Sequence, residues 1–161
     1  MSIWCRLETL EALNARTAGT MMRPLGIVFT EIGDDFVRGT MPVDDRTHQP
    51  WGLLHGGASV TLAETLGSMG ANMCVDDTRL CLGQEINANH VRSARSGIVT
   101  GTARPLHLGG RSHVWGIDIV DASGALVCIS RLTLAVIARA PRPASSEAGA
   151  DYLPLGRLAG I

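Results

Sequence analysis

The stretch Gln49-Pro50-Trp51-Gly52-Leu53-Leu54-His55-Gly56-Gly57-Ala58-Ser59-Val60-Thr61-Leu62-Ala63-Glu64-Thr65-Leu66-Gly67-Ser68 reads as a loop feeding a helix over residues 57–75 that is almost free of charge. From Gly56 to Val75 the only ionisable side chain besides Cys74 is Glu64. A helix solvated along one side carries several charges on that side. This one is therefore expected to be buried nearly all round. A carboxylate on such a helix is costly unless something offsets its desolvation, so Glu64 is either paired or functional.

Working outward, Ile3, Leu7, Leu10 and Leu13 recur at helical spacing and predict an amphipathic helix over residues 2–17. Ile27 to Ile32 and Phe36 to Met41 are strand-like runs joined by Gly33-Asp34-Asp35, a tight-turn composition. Beyond the long helix, strands are expected over 80–91, 96–107, 111–121 and 125–138. Their turns fall at Ser93 to Gly97, Gly109-Gly110 and Asp121 to Gly124, short enough for antiparallel neighbours. The sum is an α+β fold in which one curved antiparallel sheet wraps around one long central helix. Residues 1–140 form a single domain, and 141–161, with linker composition from Pro141, form a surface tail.

The chain has 161 residues and a formal net charge of -1, so it presents no broad basic field for nucleic acid or an acidic membrane surface. The N-terminus carries acidic residues where a signal peptide needs an unbroken apolar run, and no segment reaches transmembrane length; a cytoplasmic location is the default expectation. Four cysteines, Cys5, Cys74, Cys81 and Cys128, and five histidines make no metal-binding or redox spacing. No metal and no bound cofactor are expected.

On a helical projection Thr61, Glu64, Thr65, Ser68 and Asn72 share one stripe, opposite Leu62, Ala63, Leu66, Met69, Gly70 and Met73. Glu64 and Ser68 are one turn apart on one face. At the helix start, His55-Gly56-Gly57 offers free backbone N–H groups and the positive end of the macrodipole, where a carbonyl would be polarised. Glycine there permits close backbone approach. A carboxylate, a polarising helix end and a hydroxyl suit attack on an ester or thioester carbonyl, with Glu64 as nucleophile or as base for water.

These residues resemble the phenylacetate-degradation-type (PaaI-like) hotdog-fold thioesterases, which include the aryl-acyl thioesterases for 4-hydroxybenzoyl-CoA and those of enterobactin and menaquinone biosynthesis. The resemblance spans residues 20–138. It rests on Gln49, His55-Gly56-Gly57-Ala58, Glu64 and Ser68 at the family's mutual spacing, followed by Glu85 to His90, Arg104 to His107 and Leu108 to Ser112. It implies a hotdog fold and hydrolysis of an acyl or aryl thioester of coenzyme A or of an acyl carrier protein, coenzyme A being part of the substrate. By the same resemblance Glu64 is the catalytic carboxylate, the Gly56 N–H polarises the carbonyl, Gln49 and His55 position the thioester, and Ser68 orients the water or the carboxylate. His90, Arg92, Gly110, Arg111 and Ser112 fall where relatives contact the acyl group, pantetheine or nucleotide phosphates. Relatives build the site across a homodimer interface, commonly in a homotetramer of two dimers.

Plainer readings stand beside these. A mid-helix Glu taken alone is a solvated face residue, which the absence of neighbouring charge and the resemblance both oppose. His55 reads equally as a helix cap, Arg111 as a turn residue and His90 as a core histidine, while for Ser68 a small packing residue is the lesser reading. A serine hydrolase is disfavoured because no Gly-x-Ser-x-Gly elbow exists. The rival from another class is a hotdog module that binds acyl-CoA without turning it over, and such a module would not need Glu64.

Overall fold

The computed structural model describes residues 2–139. The elements are α1 (Leu10–Thr17), α2 (Met22–Leu25), β1 (Val28–Ile32), β2 (Val37–Val43), β3 (His48–Gln49), β4 (Leu53–Leu54), α3 (Gly56–Met73), β5 (Arg79–His90), β6 (Gly97–Leu108), β7 (Ser112–Val120) and β8 (Leu126–Ala138). Six strands form one sheet in the order β1-β2-β6-β7-β8-β5, every neighbouring pair antiparallel. The ribbon β3–β4 stands apart from it. This is the hotdog arrangement expected from the sequence, with α3 packed on one face of the sheet against β2, β5, β6, β7 and β8.

Alternation along the strands decides which face the helix covers. Val37, Gly39, Met41 and Val43 of β2 and His113, Trp115, Ile117 and Ile119 of β7 are buried, and the residues between them are not. On α3, Leu62, Ala63, Leu66, Gly67, Gly70, Ala71 and Met73 are buried against them. The approach is closer than side chains normally allow. A Cβ on Gly101 would lie 2.7 Å from Leu66 Cδ1, and one on Gly70 would lie 2.6 Å from the ring of fully buried Trp115.

Two expectations need correction. The helix is not sealed all round: Thr61, Glu64, Thr65, Ser68 and Asn72 are half-buried, as is Met69 from the opposite set. Among the described residues of one protomer, no element closes over that stripe completely. The expected helix over 2–17 shrinks to Leu10–Thr17, begun by Thr9, whose side chain accepts from the Ala12 N–H. Residues 2–9 instead run as an irregular strap, because the last carbonyls of α3 need donors. The N–H groups of Cys5 and Arg6 reach Met73 O, the Arg6 guanidinium donates to Asn72 O and Val75 O, and Trp4 stacks on Trp115 at 6.3 Å. Leu7, counted toward the apolar stripe, is exposed. The expected tail, 141–161, lies outside the described residues.

His113 is buried beside Cys81, whose sulfur lies 3.7 Å from its Nδ1. Burial first, then the nearby charges of His107 and Arg79, push its pKa below the usual 6.5. The fold thus favours the neutral ring, and the unfolded chain binds the extra proton. Stability should be full above pH 6.5 and fall as the pH drops from there toward the lowered folded value. Urea midpoints at pH 8 and pH 5 should show this loss. Asp44, Asp76 and Asp121, all held below 3.8, stay charged in that window. His113→Gln should flatten the difference.

Candidate active site

The loop before α3 is fixed at both ends. Leu54 N–H donates to Ala94 O, His55 N–H to Thr47 O, and the His48 ring contacts Arg95 O at 2.9 Å. The turn between β3 and β4 closes with Gly52 N–H on Gln49 O, and Gly52 takes a positive φ of 68°. This delivers Gln49 to the mouth of a cavity of about 360 Å³, also lined by Leu53, Leu54, Gly56, Ser59, His90, Val91, Arg92, Ser93 and Val127. Four residues singled out in the sequence, Gln49, Gly56, His90 and Arg92, therefore converge.

His55 caps α3: its Nδ1 accepts from the Gly57 N–H at 2.8 Å. That bond assigns the ring proton to Nε2 when the ring is neutral. Gly56 is the first residue of the helix, and among the described residues no acceptor takes its N–H. It therefore remains a free donor at the positive end of the macrodipole. The His90 ring sits against its Cα, with Nε2 only 2.7 Å from where a Cβ would stand. A side chain at 56 would push the His90 ring out of this corner.

Glu64 and Ser68 do not join this group. Glu64 lies eight residues along α3 from Gly56, about 12 Å at 1.5 Å per residue. Its Oε1 rests on β5, 2.8 Å from the Cβ position of Gly83. One further contact completes the pattern: the Asn72 amide donates to Cys81 O and accepts from Cys81 N–H, both at 3.0 Å. Hence α3 runs antiparallel to β5, with Gly56 at His90, Glu64 at Gly83 and Asn72 at Cys81. Gly110 and Arg111 occupy the β6–β7 turn and Ser112 begins β7; Arg111 is exposed and its carbonyl accepts from Val136 N–H. Leu134 pairs with Gly83 on one side and His113 on the other, so this turn belongs to the Glu64 end of the sheet.

Sequence reasoning missed Gly83 and the apolar cavity lining of Leu53, Leu54, Val91 and Val127. A glycine inside a strand pattern was the available signal for close approach. Burial pushes the thiol of Cys74 up to about 12 and that of Cys81 to about 11, so neither is a ready nucleophile. Among the described residues β5 pairs only with β8, leaving its other edge open in the protomer.

A helix-covered antiparallel sheet of this order is the hotdog fold, and the chain belongs to the thioesterase superfamily of thioester hydrolases, whose family model matches residues 52–128. Its relatives agree. It is 57% identical to the 1,4-dihydroxy-2-naphthoyl-CoA hydrolase of Escherichia coli over 135 residues, 84% of this chain and 99% of that protein. It is 54% identical to the proofreading thioesterase EntH of Cronobacter sakazakii, over 84% of this chain and 98% of that one. Among solved structures, a mutant thioesterase from Pseudomonas aeruginosa superposes with a TM-score of 0.84 at 50% identity, covering 86% of this chain and all of that one.

Proposed function

We propose that the protein hydrolyses an aryl or acyl thioester of coenzyme A, or of an acyl carrier protein, at a site shared between two copies of the chain. The observation that carries the shared site is the placement of Gly56 and Glu64 at two separated points, His90 and Gly83, along one open strand edge. Antiparallel pairing of β5 with a second β5 reverses direction, which sets the His90 end of one protomer beside the Gly83 end of its partner. The Gln49, Gly56, His90 corner then meets a Glu64 and Ser68 from the other chain. Such pairing also satisfies the open edge. The identity to a hydrolase named for an aryl-CoA substrate supports coenzyme A as the thiol carrier.

In this reading the substrate carbonyl oxygen accepts from the Gly56 N–H, whose free donor and helix position stabilise the charge that develops there. Gln49 and the Nε2–H of His55 position the thioester. Glu64 either takes a proton from water as that water attacks the carbonyl carbon, the C–S bond then breaking and the proton passing to the departing thiolate, or attacks that carbon itself, expelling the thiolate and forming a mixed anhydride that water hydrolyses to free the acid, protonate the thiolate and regenerate the carboxylate. Ser68 orients the water or the carboxylate. His90 and Arg92 on one chain, with Gly110, Arg111 and Ser112 on the other, contact the acyl, pantetheine or phosphate groups. No bound cofactor takes part. A homodimer, paired again into a homotetramer, and a cytoplasmic location complete the proposal.

Glu64→Gln should lower turnover by at least about a hundredfold with the fold intact, since the amide keeps the size and loses the base or nucleophile. Steady-state hydrolysis followed by free thiol checks this, and near-normal turnover would remove Glu64 from the mechanism. Ser68→Ala should cost less.

The shared site is tested by mixing. Gln49→Ala and Glu64→Ala homodimers, each nearly inactive, are dissociated, combined equally and reassembled. Half the dimers are then mixed, each holding one intact and one doubly damaged site, so activity should recover to about a quarter of the original. Mixed dimers confirmed by mass spectrometry but showing no recovery would place the site within one chain.

A further inference from the structure

We propose that Gly83 is a positioning residue for the Glu64 carboxylate: by lacking a side chain it leaves open, on the helix-facing side of β5, the space that Oε1 occupies. The inference rests on the reading of Glu64 as the catalytic carboxylate. Two observations carry it. A Cβ on Gly83 would stand 2.8 Å from Glu64 Oε1, inside van der Waals contact, while its next neighbours, Glu64 Cδ and Leu132 Cδ1, are at ordinary distances of 3.8 and 3.9 Å. Independently, the register of β5 against β8 slips between Gly83 and Glu85, leaving Gln84 as the extra residue of a bulge at the point where the carboxylate touches the strand. Bulges re-aim side chains and recur beside active sites.

The fold does not require glycine here. Among the described residues the positive-φ glycines are Gly26, Gly52, Gly97 and Gly124, so the backbone at 83 accepts an L side chain. A methyl group meets only the far end of a flexible glutamate. That end yields at little cost to folding, but it is the group whose place decides the reaction. A carboxylate displaced by about 1 Å from its attack geometry can cost on the order of a hundredfold in rate.

The test uses the full chain and benzoyl-CoA as probe, with Gly83→Ala, Glu64→Asp, the double variant and Glu64→Gln compared by steady-state kinetics, melting temperature and oligomer mass. Gly83→Ala should lower kcat by about ten- to a hundredfold and change KM by less than about twofold, at unchanged melting temperature and mass. Aspartate, one carbon shorter, withdraws from the methyl. Glu64→Asp should therefore cost at least about threefold less when combined with Gly83→Ala than when made alone. Normal turnover in Gly83→Ala, or strictly additive losses in the double variant, would overturn the role. Should Gly83→Ala fail to fold, the double variant decides: restored folding supports the contact, and continued failure overturns it. Normal turnover in Glu64→Gln would instead defeat the catalytic reading itself. An inactive Glu64→Gln beside a normal Gly83→Ala defeats only the positioning role.

Discussion

Everything in this molecule depends on how closely α3 lies on the sheet. Leu66 reaches into the space above Gly101, and the Trp115 ring occupies the space that a side chain on Gly70 would fill. At such separations dispersion contacts are dense and water is excluded, so the helix axis is fixed relative to every strand it crosses. Fixing the axis fixes both its start, where the free N–H of Gly56 points, and the residue two turns on, where Glu64 points. The arrangement also holds α3 antiparallel to β5, with the Asn72 amide clamping the far end through two hydrogen bonds to Cys81.

That geometry divides the chemistry. One protomer presents a polarising corner at the His90 end of β5 and a carboxylate at the Gly83 end, about 12 Å apart along the helix. A single carbonyl is too small to touch both from one chain. The open edge of β5 lies beside each of them, and it offers the two-fold pairing that would bring them together. The half-buried stripe of Thr61, Glu64, Thr65 and Ser68 has the same character: polar enough to stay wet in one protomer, and uncharged enough, apart from Glu64, to be covered by another.

Much of this is legible in the sequence because it is encoded in periodicity and in one misplaced charge. Strand alternation and the charge-free helix yield the sheet and α3 with ends shifted by one or two residues. Glu64 stands out because nothing else ionisable surrounds it. The N-terminal strap escapes such a reading because Ile3 and Leu7 fall into helical period with Leu10 by chance, while hydrogen bonding to the end of α3 decides the path of residues 2–9. The ribbon of His48–Gln49 and Leu53–Leu54 is too short for any period to reveal. For His55 the residue pattern leaves cap and site equally open, and the structure shows the cap directly through the Gly57 N–H.

Gly83 illustrates what a single chain of letters hides. Its meaning comes from register: which residue of β5 lies under which residue of α3, and where the bulge falls. Neither follows from local propensity, because a strand glycine reads alike whether it faces solvent, a ligand or a carboxylate. The helix supplies the charge and the strand supplies the space beside it. A carboxylate confined by backbone on one side has fewer ways to turn, and that restriction helps to orient it. The same logic operates at Gly56, where the missing side chain seats His90 against the helix start. At two points along β5, then, the lack of a side chain makes room for the group beside it, and the outer edge of the strand stays open in the protomer.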